Sequence, residues 1–106
     1  MAKKTIMLCC SAGMSTSLLV TKMQKAAQAQ NMDVEIFAAP ASEADNKIAQ
    51  QPIDCILLGP QVRYMEAEFE SKLAETDIAL GVIDMQSYGM MDGEKVLQQA
   101  TELMAK

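Results

Sequence analysis

Cys10 heads a stretch of this 106-residue chain whose residue types and spacing can do chemistry: Cys10-Ser11-Ala12-Gly13-Met14-Ser15-Thr16-Ser17. The apolar run before it, Thr5-Ile6-Met7-Leu8-Cys9, has the length and composition of a buried strand. The residues from Ser17 to Gln30 have the period of a helix. A thiol at a strand-to-helix turn, followed by small residues whose amides can all point inward, can hold a phosphoryl group. Helix N-termini gather unpaired N–H groups and a partial positive charge, which suits a phosphate or a thiolate. The same field favours the thiolate form of a cysteine placed there. The alternative at this position is a core cysteine at a strand end, and the Gly-Ser-Thr composition after Cys10 weighs against it.

Composition narrows what that thiol can work with. There is no histidine, which removes Cys-His and Ser-His dyads and every histidine metal ligand. The single arginine, Arg63, lies far along the chain, so a phosphate site here is built from backbone amides and hydroxyls, with no metal and no cofactor. The net charge of −5 weighs against nucleic acid as a partner, because phosphate backbones demand clustered Lys and Arg. Three cysteines, an odd number without metal-type spacing, argue against a disulfide framework. Neighbours along a strand point to opposite faces, so Cys9 and Cys10 should not share a role. The ten methionines read mostly as core filler. Half of the residues are apolar, yet no run approaches the ~20 residues of a membrane span, and the Met1-Ala2-Lys3-Lys4 start lacks the apolar stretch of a signal peptide. The expectation is one cytoplasmic domain, residues 1–106, large enough to bury about two thirds of its extended surface.

The elements that must position Cys10 alternate along the chain. Strands are expected over Lys4 to Cys10, Asp33 to Ala38, Asp54 to Leu58 and Ile78 to Ile83, each nearly continuous in apolar residues, as in a parallel sheet buried on both faces. The first helix carries Leu19, Met23 and Ala26/Ala27 on one face and is closed by Asn31. A second spans Ser42 to Gln50. A third opens at Pro60 with Val62, Met65, Phe69 and Leu73 as its stripe. A fourth starts at Asp92-Gly93 and runs to Lys106. This alternation predicts an α/β fold: an open four-stranded parallel sheet with helices on both faces, flavodoxin-like or small-phosphatase-like. Ligands in such sheets bind outside the carboxyl ends of the strands, where strand order reverses. With the order 2-1-3-4 that point lies between strands 1 and 3, beside Ser11 to Ser17 and Gly59-Pro60-Gln61.

Several chemistries fail on the residues. Dinucleotide binding needs G-x-G-x-x-G after strand 1, and a Walker A needs G-K-[ST]; neither is present. A thioredoxin-like site needs C-x-x-C, whereas Cys9 and Cys10 are adjacent, a strained geometry for a disulfide. A receiver that accepts phosphate on aspartate would want carboxylates at the end of strand 1, and none occurs before Asn31. A cysteine nucleophile that carries phosphate remains. A small tyrosine phosphatase would use C-x5-R-[ST], its arginine clamping phosphate bidentately. Here Thr16 falls in that part of the loop and Arg63 belongs to another element. Phosphoryl transfer is mostly positioning plus charge stabilisation, so a loop without its own cation relies on a docked partner. That favours a carrier over a hydrolase. A non-catalytic flavodoxin-like binding module is the third possibility.

The segment C-C-S-A-G-M-S-T-S-L-L-V resembles the phosphorylation loop of the IIB component of sugar phosphotransferase systems (PTS), of the lactose/cellobiose type that includes diacetylchitobiose proteins. The likeness extends through Leu57-Leu58-Gly59-Pro60-Gln61 with Tyr64-Met65, and through Val82-Ile83-Asp84 with Tyr88-Gly89 and Asp92-Gly93. It implies a phosphotransferase working through a phosphocysteine. Cys10 would take a phosphoryl group from the phosphohistidine of a IIA protein and pass it to a sugar held by the membrane IIC permease. Amides of Ala12 through Ser17 would wrap the phosphate, with the Ser11, Ser15, Thr16 and Ser17 hydroxyls as further donors. Ordinary N-capping, worth about 1 kcal/mol, is the competing role for those hydroxyls. Cys9 and Cys55 read as core. Gln61 is a candidate for contact with the loop or a partner. Tyr64 is a partner contact or half-buried packing. Asp92 reads as a cap, and Asp84 has no assigned role. Met14, large and apolar in a loop of small residues, is expected to face outward near Ala12 as part of a docking patch for IIA and IIC.

Overall fold

The computed structural model describes residues 4–10 and 15–105, with side chains of the first helix from Ser17 onward. Among these residues four parallel strands form one sheet in the order β2-β1-β3-β4. Strand β1 (Lys4–Cys10) is central and pairs with β2 (Val34–Pro40) on one side and β3 (Cys55–Leu58) on the other; β4 (Ala79–Val82) lies beyond β3. From Thr5 to Cys10 every β1 residue is buried, which is why its sequence is apolar at successive positions rather than alternate ones. Its alternation still decides which layer each side chain joins. Ile6 and Leu8 pack in a layer with α1 (Ser15–Ala29) and α5 (Gly93–Met104). Met7 and Cys9 pack in the opposite layer, which holds Ala44 of α2 (Ala44–Gln50) and Phe69 and Leu73 of α3 (Glu66–Leu73). The expected strand order and two-sided helical cover are both present.

Boundaries moved for identifiable reasons. β2 runs to Pro40, two residues past the expected end, because it follows β1 in register as far as Cys10↔Pro40. Asp54 precedes β3: its carboxylate accepts the Thr5 N–H at 2.8 Å, and its own N–H donates to the Thr5 carbonyl at 2.9 Å. The helix expected from Ser42 begins with a 3-10 turn, Ala41–Glu43. The one expected from Pro60 is a 3-10 segment through Met65, kinked at Val62 (φ −116°, ψ 22°), and becomes α-helical at Glu66. The stripe survives the kink, since Val62, Phe69 and Leu73 are all buried in one layer.

α1 ends as Asn31 predicted. Asn31 adopts φ 56°, with Met32 N–H donating to the Ala27 carbonyl at 2.9 Å and Asn31 N–H to that of Gln28 at 3.1 Å. This paired closure satisfies the last helical carbonyls and needs a residue tolerant of left-handed backbone. The fourth helix was expected to start near Asp92, and α5 does: Asp92 caps it by accepting the Lys95 N–H at 3.2 Å. A short helix that the periodicity did not predict, α4 (Met85–Gly89), precedes it. Lys106 lies outside the described residues.

Candidate functional site

The carboxyl ends of β1, β3 and β4 build one rim of the sheet. β1 delivers Cys10 to it, and Cys9 pairs with Leu58, the last residue of β3. Gly59 then turns the chain beside Cys10, donating its N–H to the Cys9 carbonyl at 2.8 Å. Its backbone (φ −63°, ψ 154°) is open to any residue, so glycine serves here for room. A β-carbon at Gly59 would sit 2.9 Å from the Gln61 Oε1, 3.4 Å from the Cys9 carbonyl and 3.8 Å from the Cys10 Cβ. The Gln61 side chain therefore folds back over Gly59 towards Cys10, and its Nε2 donates to the Tyr88 hydroxyl of α4 at 2.9 Å.

Adjacent cysteines receive opposite surroundings from strand alternation. Cys9 faces the α2/α3 layer with no exposed surface. Burial pushes its thiol up to about 12, the neighbouring Cys10 adds to the rise, and Lys72 opposes it. Cys55 lies in the other layer, raised to about 12 first by burial and then by Asp54. Both thiols stay protonated at neutral pH and cannot act as nucleophiles, consistent with their reading as core. Cys10 stands at the strand's end, 1% exposed. Among the described residues no cluster of His, Cys, Asp or Glu could hold a metal ion, and no helix is long and apolar enough to cross a membrane.

The other residues singled out from the sequence fall as follows. Ser11, Ala12, Gly13 and Met14 lie outside the described residues, as do the side chains of Ser15 and Thr16; the α1 backbone begins at Ser15. Ser17 is exposed on the first turn of α1. Tyr64 is 78% exposed, so the half-buried packing considered for it is not what the fold uses. Asp84 caps α4, its carboxylate accepting from the Ser87 N–H at 3.0 Å and the Ser87 hydroxyl at 3.2 Å. Tyr88 joins the rim without having been singled out individually. The D-x-x-S spacing of Asp84 and Ser87 was its available signal, since it marks a helix start that brings Tyr88 round.

Further exposed large apolar side chains gather on segments that follow the strand ends: Leu18 on α1, and Met85 and Met90 around α4, together with Tyr64 after β3. At the opposite, amino end of the sheet a cavity of about 660 Å³ is lined by Lys4, Asp54, Asp77 and Leu103 among others. It lies at the wrong end of the sheet to share chemistry with Cys10.

Comparison with known proteins accounts for this arrangement. The family model for the PTS lactose/cellobiose-specific IIB subunit matches residues 5–99. Two relatives from Lactococcus lactis are each 50% identical over 98% of this chain and 99% of their own: a galactose-specific and a cellobiose-specific PTS EIIB component. A solved structure, the cellobiose-specific phosphotransferase IIB component from Borrelia burgdorferi, superposes with a TM-score of 0.79 at 34% identity, over 98% of this chain and 94% of that one. With the match running from the second residue of β1 into α5, the chain belongs to the lactose/cellobiose-specific IIB family of the sugar phosphotransferase system.

Proposed function

We propose that this chain is a phosphocarrier in which Cys10 accepts a phosphoryl group from the phosphohistidine of a IIA protein and passes it to a sugar bound by the membrane IIC permease. The observation that carries this reading is the placement of Cys10 at the carboxyl end of the central strand, ahead of the α1 N-terminus, while Cys9 and Cys55 are locked in the two core layers. In the first step the Cys10 sulfur attacks phosphorus, the P–N bond breaks and the donor imidazole departs with its electron pair. In the second a sugar hydroxyl attacks phosphorus, the S–P bond breaks and the thiolate is restored. The hydroxyl proton leaves to a base outside this chain. A thiolate leaves more readily than an alkoxide, so the second step runs downhill towards the sugar ester.

Amides of Ala12 through Ser17, with the Ser11, Ser15, Thr16 and Ser17 hydroxyls, are the proposed cradle, and the partial charge at the start of α1 supports it. Leu18, Tyr64, Met85 and Met90, with Met14, supply the apolar surface on which IIA and IIC dock in turn, the protein being cytoplasmic and meeting the membrane through IIC. The sugar is a β-linked disaccharide of the cellobiose, diacetylchitobiose or lactose class. Its identity rests with the permease: relatives named for galactose and for cellobiose are equally similar to this chain.

The test is the intact mass after incubation with a phosphorylated IIA protein of the matching type, with Cys10→Ser as control. One added phosphoryl group, absent from the variant, is the expected result. No added mass, combined with hydrolysis of an aryl phosphate by the protein alone, would assign the chain to the cysteine phosphatases.

A further inference from the structure

We propose that Gln61 donates a hydrogen bond to the phosphoryl group on Cys10 and that Tyr88 is the positioning residue that aims it, so that the Gln61–Tyr88 pair forms a clasp across the mouth of the site. The proposal rests on the phosphocysteine reading above.

Gln61 lies on an exposed turn, where a glutamine would ordinarily wander. Instead its carboxamide is tied to Tyr88, and its oxygen and the Cys10 Cβ lie 2.9 and 3.8 Å from one point beside Gly59. Ordering so long a side chain costs about as much free energy as one exposed hydrogen bond returns, so the tie does little for stability. Its consequence is geometric. A phosphoryl group on Cys10 extends beyond the sulfur at the same rim. On the Cys10 side the carboxamide presents Oε1, while Nε2 gives one N–H to the Tyr88 hydroxyl. A phosphoryl oxygen repels Oε1, so the carboxamide turns on its Tyr88 hydrogen bond and offers its second N–H to the phosphoryl group.

Tyr88 is held from behind more firmly than its place on a five-residue helix would suggest. Its ring packs against the α1/α5 core layer. Asp84 caps the start of α4, and Asp92 N–H donates to the Ser87 carbonyl at its end, with Met91 forced to φ 53°. A non-glycine residue in that region persists only where its surroundings over-determine it, and such strain gathers at working sites. The entry to α4 is fixed as well. Gln99 of α5 donates to the Val82 carbonyl at 2.7 Å and accepts the Asp84 N–H at 3.3 Å, occupying the open edge of β4 as a further strand would. Hydrogen bonds and packing thus run from α5 through α4 to the Tyr88 hydroxyl, to Gln61 and to the wall of Cys10.

A neutral amide suits a carrier. An arginine there would bind the dianion tightly in the resting phosphoprotein as well as in both transfer steps. A carboxamide orients the group without trapping it, which keeps donation to the next acceptor as easy as acceptance.

The experiment uses the full chain with a phosphorylated IIA protein as donor, and compares wild type, Gln61→Ala, Tyr88→Phe and the double variant. The readouts are the rate of phosphoryl arrival on Cys10, the phosphorus NMR resonance of the phosphocysteine, and thermal melting. Each single variant should slow transfer on the order of 10-fold or more and move the resonance, and the double should be no slower than Gln61→Ala. Melting temperatures should stay together. Wild-type rate and resonance in Tyr88→Phe, or losses that add in the double, would overturn the clasp while leaving Cys10 as the carrier. A wild-type protein that takes up no phosphoryl group would remove the phosphocysteine reading and the clasp with it.

Discussion

Replacing Gly93 by alanine should destabilise this protein, although α-helix propensity alone favours the change. Gly93 is the first residue of α5 and lies directly on the backbone of α1. A β-carbon there would stand 2.5 Å from the Lys22 carbonyl carbon and 2.6 Å from the Met23 nitrogen. Ordinary contact begins near 3.4 Å, so the helices must part by about 0.9 Å, and no side chain can rotate to absorb it. The gap opens in the layer where Leu19 and Met23 of α1 meet Val96, Leu97 and Ala100 of α5, all buried. A radial gap of about 0.5–1 Å forfeits roughly a quarter to a half of each dispersion well. Overpacking costs roughly 1–3 kcal/mol, and a clash of 2.5 Å with backbone that cannot rotate away belongs near the top, at about 2–3 kcal/mol, while exchanging glycine for alanine returns at most about 1 kcal/mol. The net loss is about 1–2 kcal/mol, or a melting temperature lower by roughly 4–16 °C. Urea unfolding followed by circular dichroism gives the midpoint and the slope together, and the slope should be unchanged. A Gly93→Ala protein as stable as wild type would refute the close packing of α1 and α5 described here.

Two further outcomes follow from the backbone and the buried thiols. Asn31→Ala should cost about 1 kcal/mol by placing a β-carbon in left-handed backbone without the local bonding asparagine can offer, whereas Asn31→Gly should be neutral or stabilising; thermal melting of the pair decides it. Cys9 and Cys55 both rise from an ordinary 9.0 to about 12, so between those values the unfolded chain has lost two protons that the folded chain keeps. Stability must then fall with rising pH, by about 1.4 kcal/mol per unit for each thiol, and be unaffected by these groups below the lower value. Cys55→Ala should remove half of that slope in urea midpoints taken through the alkaline window, and an identical slope in the variant would contradict the burial argument.

What could be read from the sequence was what long apolar patterns and strong local signals encode. The continuous run Thr5 to Cys10 could only be a strand buried on both faces, and Asn31 and Asp92 had the chemistry of helix ends at the right distance from a periodic segment. α4 escaped because five residues cannot display a helical stripe, and because its exit rests on Met91, a residue type with no preference for positive φ. The kink at Val62 escaped for the opposite reason. The apolar spacing of Val62, Phe69 and Leu73 is satisfied equally by an unbroken helix and by a 3-10 segment followed by one. At the candidate site, the placement of Cys10 at the strand end ahead of α1 was legible because thiol, small residues and helix start are contiguous. Tyr88 was not, because its partner Gln61 is 27 residues away and the two meet only after β3 and β4 have been laid side by side.

The same sheet geometry accounts for the division of labour between two thiols that are neighbours in sequence. One residue of strand alternation sends Cys9 into the α2/α3 layer, where desolvation holds it protonated, and leaves Cys10 on the other side as β1 reaches its end. An exchange of the two roles would require the strand to slip by one residue, which would also turn Ile6 and Leu8 out of the layer they share with α1 and α5. The position of the proposed nucleophile is thus fixed by the core as a whole rather than by the loop alone. Cys10→Ser keeps a thiol only at position 9, inside the α2/α3 layer, where burial holds it protonated, and should therefore take up no phosphoryl group from a phosphorylated IIA protein. The core that stabilises the fold therefore also selects which of the two cysteines stands at the strand end where Gly59, Gln61 and Tyr88 converge.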